Sequence, residues 1–315
     1  MNSSALVLVY CAAVAAASLA GGFIPHFVKL THTRMQIALS FVAGAMLGVG
    51  ILHLVPHSFV LTRSIDRTMG FLLLGFLLMF FIERAFHFHH HGTIDEATTG
   101  GLDGPDHDCD HGHHHDGKHA AHHASAASGH GGSRAMPKIS WVPALAGLGL
   151  HSVLDGVALA ASVAAEHAEH QASLTAGFAV FLVVVLHKPF DSLTLGTLMA
   201  VGERSSRLRH AVNAAYAAAV PLGALLFQVG LFSIGGQVGD EAVGRVLAVA
   251  GGAFLCIASS DLLPELQFHT HDRFRLSAAL LLGIALAWGI VFFEERGHDH
   301  GAVGAPAMSV GAARE

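Results

Sequence analysis

Charge is scarce in this chain. Only 13% of its 315 residues are Asp, Glu, Lys or Arg, against roughly 25% in soluble globular domains. Hydrophobic residues make up 52%, and mean hydropathy is +0.54. A soluble fold is excluded on those grounds. No nucleic-acid partner is expected; the formal charge of −6 itself says little when 26 histidines can titrate. Cysteine is nearly missing: Cys11, Cys109 and Cys256 show no paired spacing, so neither a disulfide framework nor a CxxC zinc site is implied. No HExxH motif occurs, which leaves a membrane-embedded zinc hydrolase without its general base. The chain is read as a non-enzyme with no resident cofactor. Nor does any Lys or Arg precede the first apolar run, the first being Lys29. Residues 4–24 are therefore expected to be an uncleaved span rather than a signal peptide.

What the chain has instead is long apolar runs. Stretches near 4–24, 36–57, 69–87, 140–165, 172–200, 208–232, 243–266 and 275–293 each approach the length of about 20 residues that crosses a bilayer as helix. The expected fold is an all-α integral membrane protein of eight transmembrane helices. Its segments are 1–87 (spans one to three), 88–139 (a cytoplasmic loop), 140–200 (spans four and five), 201–296 (spans six to eight) and a short tail at 297–315. Positive charge favours the cytoplasmic side. With both termini outside, Lys29, Arg34, Arg84, Lys118, Arg134, Lys138, Arg204, Arg207, Arg209, Arg273 and Arg275 fall inside, while Arg63, Arg67, Arg245, Arg296 and Arg314 fall outside. That arrangement is expected in a plasma (inner) membrane.

Residues 88–139 contrast with everything around them. HFHHHG, DHDCDHGHHHDGKHAAHH and His130 together carry half of the 26 histidines. No hydrophobic period runs through them, so disorder is expected in the absence of metal. Imidazole and carboxylate at short, variable spacing suit Zn²⁺ and its neighbours; a solvated linker that binds metal incidentally is the alternative.

The ionisable residues inside the apolar runs are more informative, because charge at bilayer depth is costly unless it is paired. Span four reads GLGLHSVLDGVALA and span five VVVLHKPFDSLTLG. His151 and Asp155 are four apart, as are His187 and Asp191, and residues four apart share a helix face. Consecutive spans joined by a short connection are antiparallel neighbours, so the four groups can surround one divalent cation with two neutral imidazoles and two carboxylates. Two negative charges against a dication leave no unpaired charge at low dielectric. Pro189 is expected to break span five beside this site, freeing the carbonyl of Val185. Taken singly, each His or Asp is better explained by a satisfied contact between helices; two such pairs at matching depth on adjacent spans favour metal.

Spans two and seven match: residues 44–57, GAMLGVGILHLVPH, and 252–265, GAFLCIASSDLLPE, agree at five of fourteen positions, proline included. Because they cross in opposite directions, this points to an inverted repeat in a 3+2+3 arrangement, with spans four and five inserted. The alternative is coincidence between two apolar helices. On the assigned orientation, His53 and His57 lie at the outer end of span two and Asp261 and Glu265 at the inner end of span seven. The stretch AAEHAEHQ adds Glu166, His167, Glu169 and His170 outside, and His269 and His271 follow span seven inside. Ligand-type residues thus occur at both ends and in the middle, although each end pair equally suits a helix-terminus contact. Met46 offers a thioether on span two, or simply packs.

HSVLDG in span four, LHKPFD in span five, DLLPE in span seven and the His-rich third connection together resemble the ZIP family of metal-ion transporters. The resemblance implies uptake of Zn²⁺, or of Cd²⁺, Fe²⁺, Mn²⁺ or Co²⁺, toward the cytoplasm through a site on spans four and five. It also implies that spans 2, 4, 5 and 7 move against spans 1, 3, 6 and 8, often in a homodimer. His151, Asp155, His187 and Asp191 fall on the family's ligands. Where many members carry Asn and a carboxylate for a second adjacent ion, this chain has Ser152 and Lys188. A single central ion is therefore expected, with Lys188 as a tethered countercharge or, alternatively, a lysine snorkelling away. A cation-diffusion-type exporter, which also uses HxxxD pairs, is the rival reading; such proteins typically have six spans and a soluble C-terminal domain.

Overall fold

The computed structural model describes residues 2–23, 32–86, 141–169, 175–233, 239–268 and 273–302. Among these, eight helices are long and apolar enough to cross a membrane. They are α1 (Ser3–Gly21), α2 (His32–Val49 and Val55–Thr62, joined by the π-helical turn Gly50–Leu54), α3 (Ile65–Phe86) and α4 (Trp141–Glu169), followed by α5 (Phe178–Val201), α6 (Ser206–Ala217 and Ala219–Ser233), α7 (Asp240–Phe268) and α8 (Arg273–Ala302). The His-rich loop 88–139 and the tail from 303 lie outside the described residues.

Several ends follow from local chemistry. Pro143 sits in the first turn of α4, where its missing N–H costs nothing. Ser205 caps α6 by accepting from the Leu208 N–H at 3.4 Å. Arg63 takes a left-handed conformation, φ 52°, to close α2, its N–H donating to the Phe59 carbonyl.

Three differences from the sequence reading bear on the site. First, α2 runs to Thr62, so His53 and His57 lie inside it rather than at its end; Pro56 is absorbed by the wide turn just before it. Second, α5 is continuous through Pro189 rather than broken there. Gly21 lets α1 lie directly on the Pro189 backbone, so a neighbouring helix supports the segment that lacks a hydrogen bond. The interruption falls instead in α6 at Ala218, where Pro221 cannot donate to the Ala217 carbonyl. Third, the stretch read as an outer loop after span four begins as helix, because Ala and Glu favour it, and α4 continues to Glu169.

The helices pair most extensively as α2 with α7 and α8, then α3 with α7, α4 with α6 and α1 with α5. Glycine makes the closest approaches. A Cβ on Gly44 would strike the Leu280 carbonyl, and one on Gly283 the Phe41 carbonyl; on Gly252 it would strike Leu72, and on Gly75 Val249. The same offset separates Gly44 from Gly252, Phe41 from Val249, Leu72 from Leu280 and Gly75 from Gly283. The α2–α8 contact is thus repeated residue for residue in α7–α3. Gly156 on Val220, and Gly223 on Val153, seat α4 on α6 in the same way. These seats allow backbone-to-backbone packing of the kind membrane helices use. Gly252→Leu should force α3 off α7 and destabilise the protein by about 1–3 kcal/mol or more, read as a lower melting midpoint in detergent. Gly149→Ala is the control, since its added carbon meets nothing within 4 Å.

Candidate metal centre

His151 lies ten residues into α4 and His187 nine residues into α5. Both helices turn their His and Asp toward the contact between them. His151 Nε2 is 3.4 Å from Asp155 Oδ2 and 3.8 Å from Asp191 Oδ2; His187 Nε2 is 3.2 Å and 3.9 Å from the same two atoms. The rings stand 5.5 Å apart, and the donor atoms of His151, His187 and Asp191 all fall within 4.8 Å of one another. Asp155, His151 and His187 are buried, while Asp191 retains 18% side-chain exposure. Asp191 is therefore the least buried of the four.

The tautomer of His187 follows from its surroundings. Its Nδ1 is 2.9 Å from the Val183 carbonyl, which can only accept, so Nδ1 carries the proton. In the neutral ring Nε2 then presents its lone pair to the cluster. A backbone carbonyl that fixes the tautomer of a metal-type histidine is a recurring second-layer arrangement.

Lys188 does not snorkel. It is 1% exposed, with Nζ 2.6 Å from Asp155 Oδ2 and 3.0 Å from Asp191 Oδ2, and its third hydrogen bond goes to Ser152 Oγ at 3.0 Å. All three ammonium protons are placed. Ser152 Oγ in turn lies 2.7 Å from the Leu148 carbonyl and 2.8 Å from the Tyr216 hydroxyl.

Tyr216 was not anticipated. It comes from α6, donates to Asp191 Oδ2 at 2.9 Å, and presents its ring 5.7 Å from the Lys188 ammonium. A signal existed in the sequence. It is one of only two tyrosines in the chain, alone in the alanine run NAAYAAAV, and a hydroxyl in such a run needs a partner.

The remaining candidates are distributed elsewhere. Met46 is buried in the apolar core. His53 and His57 stand with Glu166, well removed from the central cluster along α4. Asp261 and Glu265 fall on the described backbone of α7, but their side chains lie outside the described residues, as do the side chain of Glu169 and all of His170, His269 and His271.

A family model described as "ZIP Zinc transporter" matches residues 4–291. No curated protein matches the chain.

Proposed function

Because the chain belongs to the ZIP zinc transporter family, whose members move divalent metal ions across membranes, we propose that this integral, multi-pass membrane protein carries Zn²⁺ toward the cytoplasm through the α4–α5 cluster by alternating access. One observation carries the reading: Asp155 Oδ2 and Asp191 Oδ2 each lie within 3.9 Å of the Nε2 atoms of both His151 and His187, across two neighbouring helices, in a chain with little other charge in its core. His151, Asp155, His187 and Asp191 are its ligands. Two nitrogens and two oxygens favour Zn²⁺, and accept Cd²⁺, Co²⁺, Fe²⁺ or Mn²⁺, over Mg²⁺ and Ca²⁺.

Lys188 limits the centre to one ion. With both aspartates ionised and both histidines neutral, the ammonium leaves a net charge of −1 between α4 and α5. An arriving dication must draw at least one carboxylate away from Nζ, and a second dication would face both the first ion and the ammonium at short range. When the ion leaves, Lys188 returns to both carboxylates, so the empty cage is never an uncompensated pair of buried anions.

The matched glycine seats of α2–α8 and α7–α3 support an inverted repeat. The glycines that would strike the backbone of another helix, Gly21, Gly44, Gly75, Gly156, Gly223, Gly252 and Gly283, each join one helix of the group 2, 4, 5, 7 to one of the group 1, 3, 6, 8, which supports a division into two moving bundles.

Flux tests the reading. Protein in liposomes loaded with a zinc-responsive dye should give saturable Zn²⁺ entry, inhibited by Cd²⁺ and insensitive to excess Mg²⁺. Flux no faster than in protein-free vesicles would sink it. Direction is read in cells given radiolabelled zinc: accumulation above the vector control supports uptake, and depletion would favour the exporter.

A further inference from the structure

Away from the centre, a second set of ligand-type side chains meets where α2 and α4 pass each other. His53 and His57 are one turn apart on α2, with ring centroids 4.6 Å apart. His53 Nε2 lies 3.1 Å from Glu166 Oε1 on α4. One ligand atom from each of the three falls within 4.8 Å of the other two. An ion with bonds of about 2.0–2.2 Å can bridge such a set after small adjustments. Glu166 is eleven residues beyond Asp155 on the same helix, roughly 16 Å along the axis, so one ion cannot serve both places.

The carboxylate is positioned by the protein itself. Ser162 Oγ donates to Oε1 at 3.0 Å, and the Gly177 N–H, on the turn entering α5, donates to Oε2 at 2.9 Å. Gly177 has φ 72°, and a Cβ there would strike the Val163 side chain, so the donor is held by a residue that only glycine suits. Hydrogen bonds that orient a carboxylate without using all its lone pairs are what a metal ligand needs behind it.

The bland reading is a His–Glu pair that fastens α2 to α4. Two observations exceed it. A bare pair needs one imidazole, yet a second ring is stacked edge-on against the first, with its donor in the same small volume. The π-helical turn Gly50–Leu54, which contains His53, is also not explained by Pro56 alone. α7 carries Pro264 at the matched place and its described backbone stays α-helical through it. Such turns are rare and concentrate at functional sites.

We propose that His53, His57 and Glu166 form a second divalent-cation site, separate from the central cage, with three protein ligands and a position open to water. Two imidazoles and a carboxylate select Zn²⁺, Co²⁺, Ni²⁺ or Cu²⁺ over Mg²⁺ and Ca²⁺. Three ligands with an open position make an exchangeable site rather than a structural one. That suits a station which an ion enters and leaves on its way to or from the centre.

The inference does not depend on the central ligands, and one experiment separates the two. The full chain is crystallised with millimolar Zn²⁺, and anomalous density is located at the zinc edge for wild type, Asp191→Ala, His57→Ala and Glu166→Gln. Density bonded to His53, His57 and Glu166 is expected in wild type and in Asp191→Ala. It should vanish in His57→Ala and Glu166→Gln, with central density retained. Glu166→Gln keeps an amide oxygen for the Gly177 N–H, so loss of the ion is distinguished from loss of the turn. In liposomes, His57→Ala should raise the Zn²⁺ concentration for half-maximal flux about tenfold, with the maximal rate little changed. Absence of density at the three side chains in wild type overturns the proposal, as does density there that survives both substitutions. Density here without density at the centre would leave this site standing and remove the central one.

Discussion

Asp155→Asn should reduce Zn²⁺ flux by about 100-fold or more, while the protein still folds and inserts. The figure follows from position. Of the two carboxylates, Asp155 lies nearer to both imidazoles, its Oδ2 3.4 Å from His151 Nε2 and 3.2 Å from His187 Nε2, and it is almost fully buried. Removing a ligand costs more than the 10–100-fold typical of a partner one layer out. Asn keeps the volume and leaves Lys188 paired with Asp191, so the fold has no new unpaired charge. Asp191→Asn should have a smaller effect, since Asp191 lies 3.8 Å and 3.9 Å from the same nitrogens and is partly exposed. The measurement is initial flux in liposomes at matched protein content, with melting midpoints taken in parallel. If Asp155→Asn transported at even half the wild-type rate, the central cage would not be the conduit.

The second large effect is on the empty protein. Lys188→Met replaces the ammonium with a side chain of similar length and leaves Asp155 and Asp191 buried together. Removing one partner of a buried ion pair costs about 3–5 kcal/mol. Metal-free Lys188→Met should therefore melt well below wild type, and added Zn²⁺ should stabilise the variant more than it stabilises wild type. Stoichiometry gives an independent readout: the variant should hold up to two divalent ions at the centre where wild type holds one. Equal melting behaviour with and without Zn²⁺ in the two proteins would show that Lys188 is not the countercharge. Tyr216→Phe, which removes a donor to Asp191, should shift flux modestly and should not change the number of central ions.

How far these residues could be read from the sequence differs by kind of signal. The membrane-spanning runs and the HxxxD pairs were legible because their spacing is local: a helix of known period fixes which residues share a face, whatever surrounds it. Tyr216 and the glycine seats depend on which helix lies against which, and a run such as NAAYAAAV says that the hydroxyl needs a partner without saying where that partner is. The effect of Pro189 differs from expectation for a related reason. The spacing predicts a break at Pro189, yet α5 continues because Gly21 brings α1 against it, whereas Pro56 and Pro221 fall where the ladder does widen or stop. Proline states that a hydrogen bond is missing; the neighbouring helix decides whether the axis changes. The extent of α2 was missed in the same way, which left His53 and His57 at a helix end rather than inside one.

The glycine contacts also bear on rate. Where α2 meets α8, α3 meets α7 and α4 meets α6, bare peptide lies on bare peptide, with no ion pair at the points of closest approach. Any shear between the two sets of four helices crosses that seam, and there the resistance comes from short-range dispersion, which salt does not screen. Turnover limited by this shear would be steeply temperature-dependent and nearly indifferent to ionic strength, and the cargo could bias the motion only through the few groups at its centre.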